Sequence, residues 1–166
     1  MPEVKDSGER YVNANGGQRD TSEGKPNFKY VPFKIIKLMY QMNKDSIGYV
    51  PMIVIESLCL DIAVNQKTEE KVLQNIIYSM LMIIGNRNIY EGLKQFALFM
   101  ERCAKKYEYN NWLLLDTQED FERFTISIGR HATQVLFNQT DEFHREAVVF
   151  NAMCLLLNFE TEEESE

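Results

Sequence analysis

The amino-acid sequence predicts an all-α protein, and three observations carry this prediction. Apolar residues recur at the three- and four-residue spacing of a helix face along most of the chain. Residues that cap or break helices stand between these periodic segments. Almost no segment shows the strict alternation of a half-buried strand. We therefore expect about six helices in two or three pairs, arranged as a helical repeat or as a compact bundle.

Composition divides the 166 residues into three parts. Residues 1–30 are polar and glycine-rich with isolated apolar positions, which predicts a disordered N-terminal segment. Residues 31–159 hold the predicted all-helical domain. Residues 160–166 form an acidic tail, whose five glutamates supply most of the net charge of −7.

The first helix is predicted over residues 32–43 and the second over residues 51–64, because proline suits the start of a helix. Apolar residues lie all round the second helix, which predicts that both of its sides are buried. The third helix is predicted to follow Thr68 as its N-cap and to end near residue 84. It is the most apolar stretch of the chain, as a central helix would be.

The fourth helix, residues 89–107, shows the clearest separation of an apolar and a polar face. The fifth is predicted to open at Thr117, with Asp120 three residues later in a capping-box pattern. The sixth is predicted over residues 141–159, after Thr140 as its cap.

Two stretches of the chain resemble helical repeats of the armadillo and HEAT type. Residues 47–54 resemble the Gly-x-x-Pro start of the second armadillo helix, and residues 68–75 resemble the acidic lead into the third. Residues 68–107 and 117–158 also align with each other as two helix pairs, and residues 32–64 form a shorter third copy. The resemblance implies a stack of helices whose groove binds extended peptides.

The alternative is a compact bundle around the third helix. This layout resembles apoptosis-regulating proteins of the B-cell-lymphoma family, including viral ones, although residues 127–130 read Ser-Ile-Gly-Arg where that family has Asn-Trp-Gly-Arg. That resemblance implies a groove for an amphipathic helix.

The sequence contains no motif of an enzyme, a cofactor site or a local zinc site. His131 and His144, with Cys154, are the residues from which a metal or Cys–His site could be assembled. We expect instead a partly buried, hydrogen-bonded His131 and a surface His144. The prediction is thus no catalytic residue, no cofactor and no metal.

The predicted function is a non-enzymatic interaction module, an adaptor or regulator that binds a partner protein or peptide through a helical groove. The candidate contacts combine a tryptophan, which is frequent in binding hot spots, with neighbouring aromatic, basic and methionine residues. They are Trp112, Tyr109, Arg102, Lys105, Lys106 and Met100. A homodimer through exposed apolar edges of the helix pairs is a further expectation.

The basic candidates leave a nucleic-acid-binding accessory protein as an alternative, although the acidic net charge disfavours that partner. No run reaches the ~18 apolar residues of a membrane span, and the three cysteines show no paired spacing. These features predict a protein of the cytoplasm or nucleus.

Overall fold

A computed structural model describes residues 2–4 and 6–163, with side chains up to residue 158. Six α-helices in this part of the chain confirm the all-α prediction. They are α1 (Phe33–Lys44), α2 (Met52–Asn65), α3 (Glu70–Ile84), α4 (Ile89–Tyr107), α5 (Gln118–Leu136) and α6 (His144–Glu163). Two short 3₁₀ helices, Phe28–Tyr30 and Asn111–Leu114, precede α1 and α5.

The N-terminal segment differs from the prediction, because it contains an antiparallel hairpin of β1 (Arg10–Val12) and β2 (Gln18–Asp20). The turn between the strands is held by the Asn13 side chain, which accepts a hydrogen bond from the Gly17 amide at 2.8 Å. Gly16 supplies the positive φ of 80° that the turn requires. The hairpin is almost wholly exposed and adds nothing to the core. Sequence periodicity missed it because turn chemistry, not burial, defines it.

Helix α3 lies at the centre of the bundle and contacts α1, α2, α4 and α6. Helix α6 packs against α3, α4 and α5, and α2 packs mainly on α5. Of the two predicted arrangements, the described residues form the compact bundle. The large buried side chains of α3 include Leu73, Ile76, Ile77, Tyr78, Met80 and Leu81.

The prediction that both sides of α2 are buried is wrong. Ile55, Cys59 and Ile62 face the core, whereas Ile53 and Val64 are 56% and 77% exposed. Helix α2 packs on its neighbours through one side only, so its additional apolar residues remain on the surface.

The apolar face predicted for α1 from the helical spacing of Phe33, Ile36, Met39 and Tyr40 is buried only in part. Phe33 and Tyr40, both predicted to face the core, are 72% and 65% exposed. Met39 is buried as predicted, and Ile35, which lay outside the predicted face, is buried with it. The i to i+4 spacing of the buried pair is helical, as predicted, but the sequence left the choice of face open.

Two predicted N-caps are wrong. Glu69, and not Thr68, is the N-cap of α3, and its side chain makes no cap hydrogen bond. Helix α6 begins at His144, three residues after the predicted start behind Thr140. The Asp141 carboxylate bonds the His144 ring, and residues 141–143 bend instead of forming the first helical turn.

The capping box of α5 is confirmed: Thr117 accepts a hydrogen bond from the Asp120 amide, and the Asp120 side chain accepts one from the Thr117 amide. Within the described residues, no helix is both long and apolar enough to cross a bilayer. The three cysteines are free thiols.

Candidate functional site

The connection between α4 and α5, residues 108–117, lines two neighbouring cavities of the protein. Glu108 ends α4 with φ 71° and ψ 159°, a backbone conformation that is costly for a residue with a side chain. Asn110 adopts the left-handed conformation, and the 3₁₀ helix Asn111–Leu114 follows it. These turns fold the chain back along α4, so that Trp112 packs against the core.

An apolar cavity of about 340 Å³ lies between this connection and the bundle. Its walls come from α4, from α6 and from two segments outside the helices. They include Met100, Cys103, Ala104, Phe150, Trp112, Leu115 and Tyr30. Glu108 is the one charged residue in the described lining. We call this space the aromatic cavity.

Tyr30 and Tyr109 form one wall of the aromatic cavity. Their rings meet edge to face with centroids 5.4 Å apart, and the Tyr109 hydroxyl donates a 3.0 Å hydrogen bond to the Lys29 carbonyl. The Lys29 ammonium lies 5.0 Å and 5.6 Å from the centroids of the two rings. These contacts tie the segment before α1 to the connection and fix the aromatic wall.

A larger and more polar cavity of about 1150 Å³ continues from the other side of the same aromatic residues. Among the residues that the structure describes, its lining contains three lysines, Lys29, Lys34 and Lys67, and one acid, Asp116. The Thr68 hydroxyl in its wall is buried and has no hydrogen-bond partner. We call this space the polar groove. The described lining residues carry a net positive charge although the chain as a whole is acidic.

The structure brings three of the six predicted contact residues together, since Met100, Tyr109 and Trp112 all line the aromatic cavity. The other three lie elsewhere. The Arg102 guanidinium stacks on the Phe143 ring at 4.5 Å from its centroid. Lys105 and Lys106 are exposed, and the Lys106 ammonium lies over the neighbouring Tyr107 ring.

Sequence reasoning missed Tyr30, Lys29 and Phe150, which come from segments distant in sequence. The abrupt change from polar to apolar residues at Tyr30 marks where the chain joins the core, and it was the available signal for that residue. Phe150 carried no signal beyond helical periodicity.

The thiols near the site are not activated nucleophiles. Burial raises the pKa of Cys103, which lines the aromatic cavity, and Lys106 opposes this only in part. Burial also raises the pKa of Cys154, which lines the polar groove. Both thiols therefore stay protonated at neutral pH.

The two histidines meet each other outside both cavities. Their Nδ1 atoms are 2.9 Å apart, and His144 Nε2 lies 2.8 Å from the Asp141 carboxylate. His131 is partly buried and hydrogen-bonded, as expected, but the prediction of a surface His144 is wrong, since it is 3% exposed. Cys154 does not join the group of metal-ligating residues that surrounds the pair.

Burial lowers the pKa of His131 to about 4, and the positive charge of the neighbouring Arg130 acts in the same direction. His131 is consequently neutral at physiological pH.

The chain matches no known family profile, no curated protein and no solved structure. The resemblances to armadillo repeats and to the B-cell-lymphoma family stay predictions. The function is therefore argued from the geometry and chemistry of the site.

Proposed function

We propose that this protein is a non-enzymatic interaction module that binds a peptide segment of a partner protein. A large apolar side chain of the segment enters the aromatic cavity, and acidic residues beside it lie along the polar groove. The observation that carries this proposal is the junction of the two cavities at Tyr30, Tyr109 and Trp112.

The aromatic cavity supports an apolar anchor. Its volume of about 340 Å³ is at the low end of the ~300–1,000 Å³ typical of ligand cavities. Trp112 and the two tyrosines provide rigid contact area, which costs little conformational entropy on binding. Burying one large apolar side chain there contributes about 1.5–3 kcal/mol.

The polar groove supports acidic neighbours of that anchor. Lys29 and Lys67 line the groove, and Asp116 is the one acid among its described lining residues, so carboxylates of the peptide complement the surface. Leu113 also lines the groove and is 56% exposed, which adds an apolar contact at its edge.

The two alternative partners, an amphipathic helix and a nucleic acid, would contact other parts of the surface. An amphipathic helix presents several anchors at the i, i+3, i+4 and i+7 positions, and a cavity of this size holds fewer of them. A nucleic acid would use Lys105 and Lys106 on α4, which are exposed but lie outside both cavity linings.

The test begins with selection of a random displayed peptide library on the full-length protein. Affinity is then measured through the fluorescence of Trp112, the single tryptophan of the chain. We expect selected peptides to share one large apolar residue with acidic neighbours. Ala104→Phe fills the aromatic cavity and should weaken binding at least ~10-fold, the loss of about 1.4 kcal/mol. Leu114→Ala is the matched control, because Leu114 is 74% exposed and lines neither cavity.

Equal affinity of wild type and Ala104→Phe would reject the aromatic cavity as the binding site.

A second pair of variants tests the polar groove. Lys67→Gln should weaken peptide binding about 2–5-fold and reduce its salt dependence, whereas Lys105→Gln should do neither. The nucleic-acid alternative predicts the opposite, with oligonucleotide binding lost in Lys105→Gln and retained in Lys67→Gln.

A further inference from the structure

The turn between α5 and α6 assembles side chains that the proposed function does not use. Asn138 takes the left-handed conformation with φ 55°, and this lets the chain reverse within a few residues of the end of α5. The reversal places His131 of α5 against His144, the first residue of α6. The pair, together with Glu142 from the turn, has ligand atoms that all lie within 4.8 Å of one another.

We propose that His131, His144 and Glu142 form a binding site for one zinc ion. Two imidazole nitrogens and one carboxylate oxygen are a ligand set typical of zinc, and they leave a fourth position for water or an external ligand. The site lies apart from both cavities and does not depend on the peptide-binding function.

The hydrogen bond to Asp141 prepares His144 for this role. His144 Nε2 lies 2.8 Å from a carboxylate oxygen of Asp141, and this oxygen accepts the proton on that nitrogen. With its proton on Nε2, a neutral His144 presents a free electron pair at Nδ1. A carboxylate behind a ligating histidine is the usual outer partner in zinc sites, where it fixes the tautomer and the ring orientation.

His131 completes the arrangement. With a neutral His144 that carries its proton on Nε2, the Nδ1–H of His131 donates to the Nδ1 of His144 in the metal-free protein. When zinc binds both Nδ1 atoms, the His131 proton moves to Nε2 and the ring remains neutral. The exchange therefore removes one hydrogen bond and forms two metal–nitrogen bonds, with no change in the charge of either imidazole.

The distances require only a small adjustment. Zinc–nitrogen bonds of about 2.0–2.1 Å at a tetrahedral angle separate two ligand atoms by ~3.4 Å. The two Nδ1 atoms face each other at 2.9 Å, so they must separate by roughly 0.5 Å, and each ring must turn by about 35° to direct its nitrogen at the ion. Glu142 is exposed, and its side chain can approach without disturbing the core.

Charge and ligand type favour zinc over other abundant cations. Magnesium and calcium prefer sites built from oxygen alone, which two imidazoles do not offer. Arg130 and Lys106 add positive charge near His131 and Glu142. The carboxylates of Asp141 and Glu142 offset them and leave the site able to accept a dication.

The experiment uses the full-length protein, stripped of metal and of any histidine tag, at pH 7. Zinc titrations by calorimetry and by competition with a chromophoric chelator should give one ion per chain. At a free zinc concentration about 100 times the dissociation constant, Tm should rise by ~5–10 °C. Glu142→Gln should weaken binding at least ~10-fold, and His131→Gln at least ~100-fold.

The matched control is Glu122→Gln, which removes an exposed glutamate of α5 outside the cluster and should leave zinc affinity unchanged. Asp141→Asn keeps all three ligands and tests the positioning residue, with an expected loss of ~10–100-fold. His131 is partly buried, so His131→Gln risks unfolding the protein. The deciding test of the zinc site is therefore the zinc affinity of Glu142→Gln compared with that of Glu122→Gln. Both of these variants should keep the metal-free Tm of the wild type. Equal zinc affinity in these two variants, or zinc bound equally by wild type and a folded His131→Gln, would overturn the proposal.

Discussion

Helices α2 and α3 have nearly the same apolar content but very different environments. Ten of the fourteen residues of α2 are apolar, and ten of the fifteen of α3. Eight residues of α3 are buried, whereas α2 buries three. The difference shows that apolar content sets only the upper limit of burial. The number of neighbouring helices determines how much of the apolar surface is actually buried.

The two helices also contact their neighbours differently. Helix α3 is enclosed, and at Gly92 the α4 backbone approaches it so closely that an added Cβ would lie 2.1 Å from the Leu81 carbonyl oxygen. Helix α2 lies antiparallel to α5 along one side, with hydrogen bonds from Thr125 to Gln66 and from Thr133 to Glu56. Its outer apolar residues contribute little to stability and remain exposed.

The same substitution in both helices tests this comparison most strongly. Leu81→Ala in α3 empties a fully buried site, and it should cost about 2–5 kcal/mol of the free energy of unfolding. Leu60→Ala in α2 truncates a side chain that is 40% exposed, and it should cost less than ~1 kcal/mol. Urea denaturation followed by circular dichroism measures both. Similar losses in the two variants would contradict the unequal burial of α2 and α3.

Two glycines sharpen the comparison at the level of backbone packing. Gly92→Ala forces apart the backbones of α3 and α4 and should cost about 1–3 kcal/mol. Gly129→Ala, where α5 meets α2, brings the new Cβ to 3.0 Å from the Ala63 Cβ, a contact that a small shift relieves. The higher helix propensity of alanine offsets that strain, so its net effect should be within ~0.5 kcal/mol. Thermal unfolding distinguishes the two, and a larger loss from Gly129→Ala would show that the α2–α5 contact is the tighter one.

Local signals allowed most of the fold to be predicted. The bounds predicted for α4 are those observed, and the Thr117–Asp120 capping box is present, because periodicity and capping depend on residues close in sequence. Which side of α1 or α2 faces the core depends on helices distant in sequence. The predictions were therefore wrong for Phe33 and Tyr40 of α1 and for the outer side of α2. The hairpin depends on the chemistry of one turn and escaped a search for apolar periodicity.

The residues of the candidate sites also fall into two groups, those whose proximity follows from neighbouring sequence positions and those brought together only by tertiary packing. Met100, Tyr109 and Trp112 come from one stretch of sequence, so their proximity could be predicted, whereas Tyr30 and Phe150 reach the aromatic cavity only through tertiary packing. The contact between His131 and His144 depends on the reversal after α5. Thirteen residues separate them in sequence, and no spacing rule for local metal ligands covers that interval.

The beginnings of α3 and α5 extend the comparison to helix caps. Thr117 caps an exposed helix start with a reciprocal pair of hydrogen bonds, so Thr117→Ala should cost about 1 kcal/mol. The corresponding Thr68→Ala removes a buried hydroxyl that has no partner and caps nothing, so it should change stability by less than ~0.5 kcal/mol. Chemical denaturation of both variants at pH 7 gives the comparison. A loss from Thr68→Ala equal to that from Thr117→Ala would mean that α3 needs a local cap despite its burial.

The pH dependence of the same variants separates the cap from a general effect of losing a threonine. Hydrogen bonds from the Thr117 side chain and backbone hold the pKa of Asp120 below its usual value. A carboxyl group whose pKa is lowered by folding stabilises the protein above its unfolded pKa of ~3.9, and that contribution is lost as the pH falls through the folded pKa. The difference in Tm between wild type and Thr117→Ala should therefore narrow below about pH 4. Thr68→Ala should show no such narrowing, since its hydroxyl bonds no titratable group and α3 is held in place by the helices packed around it.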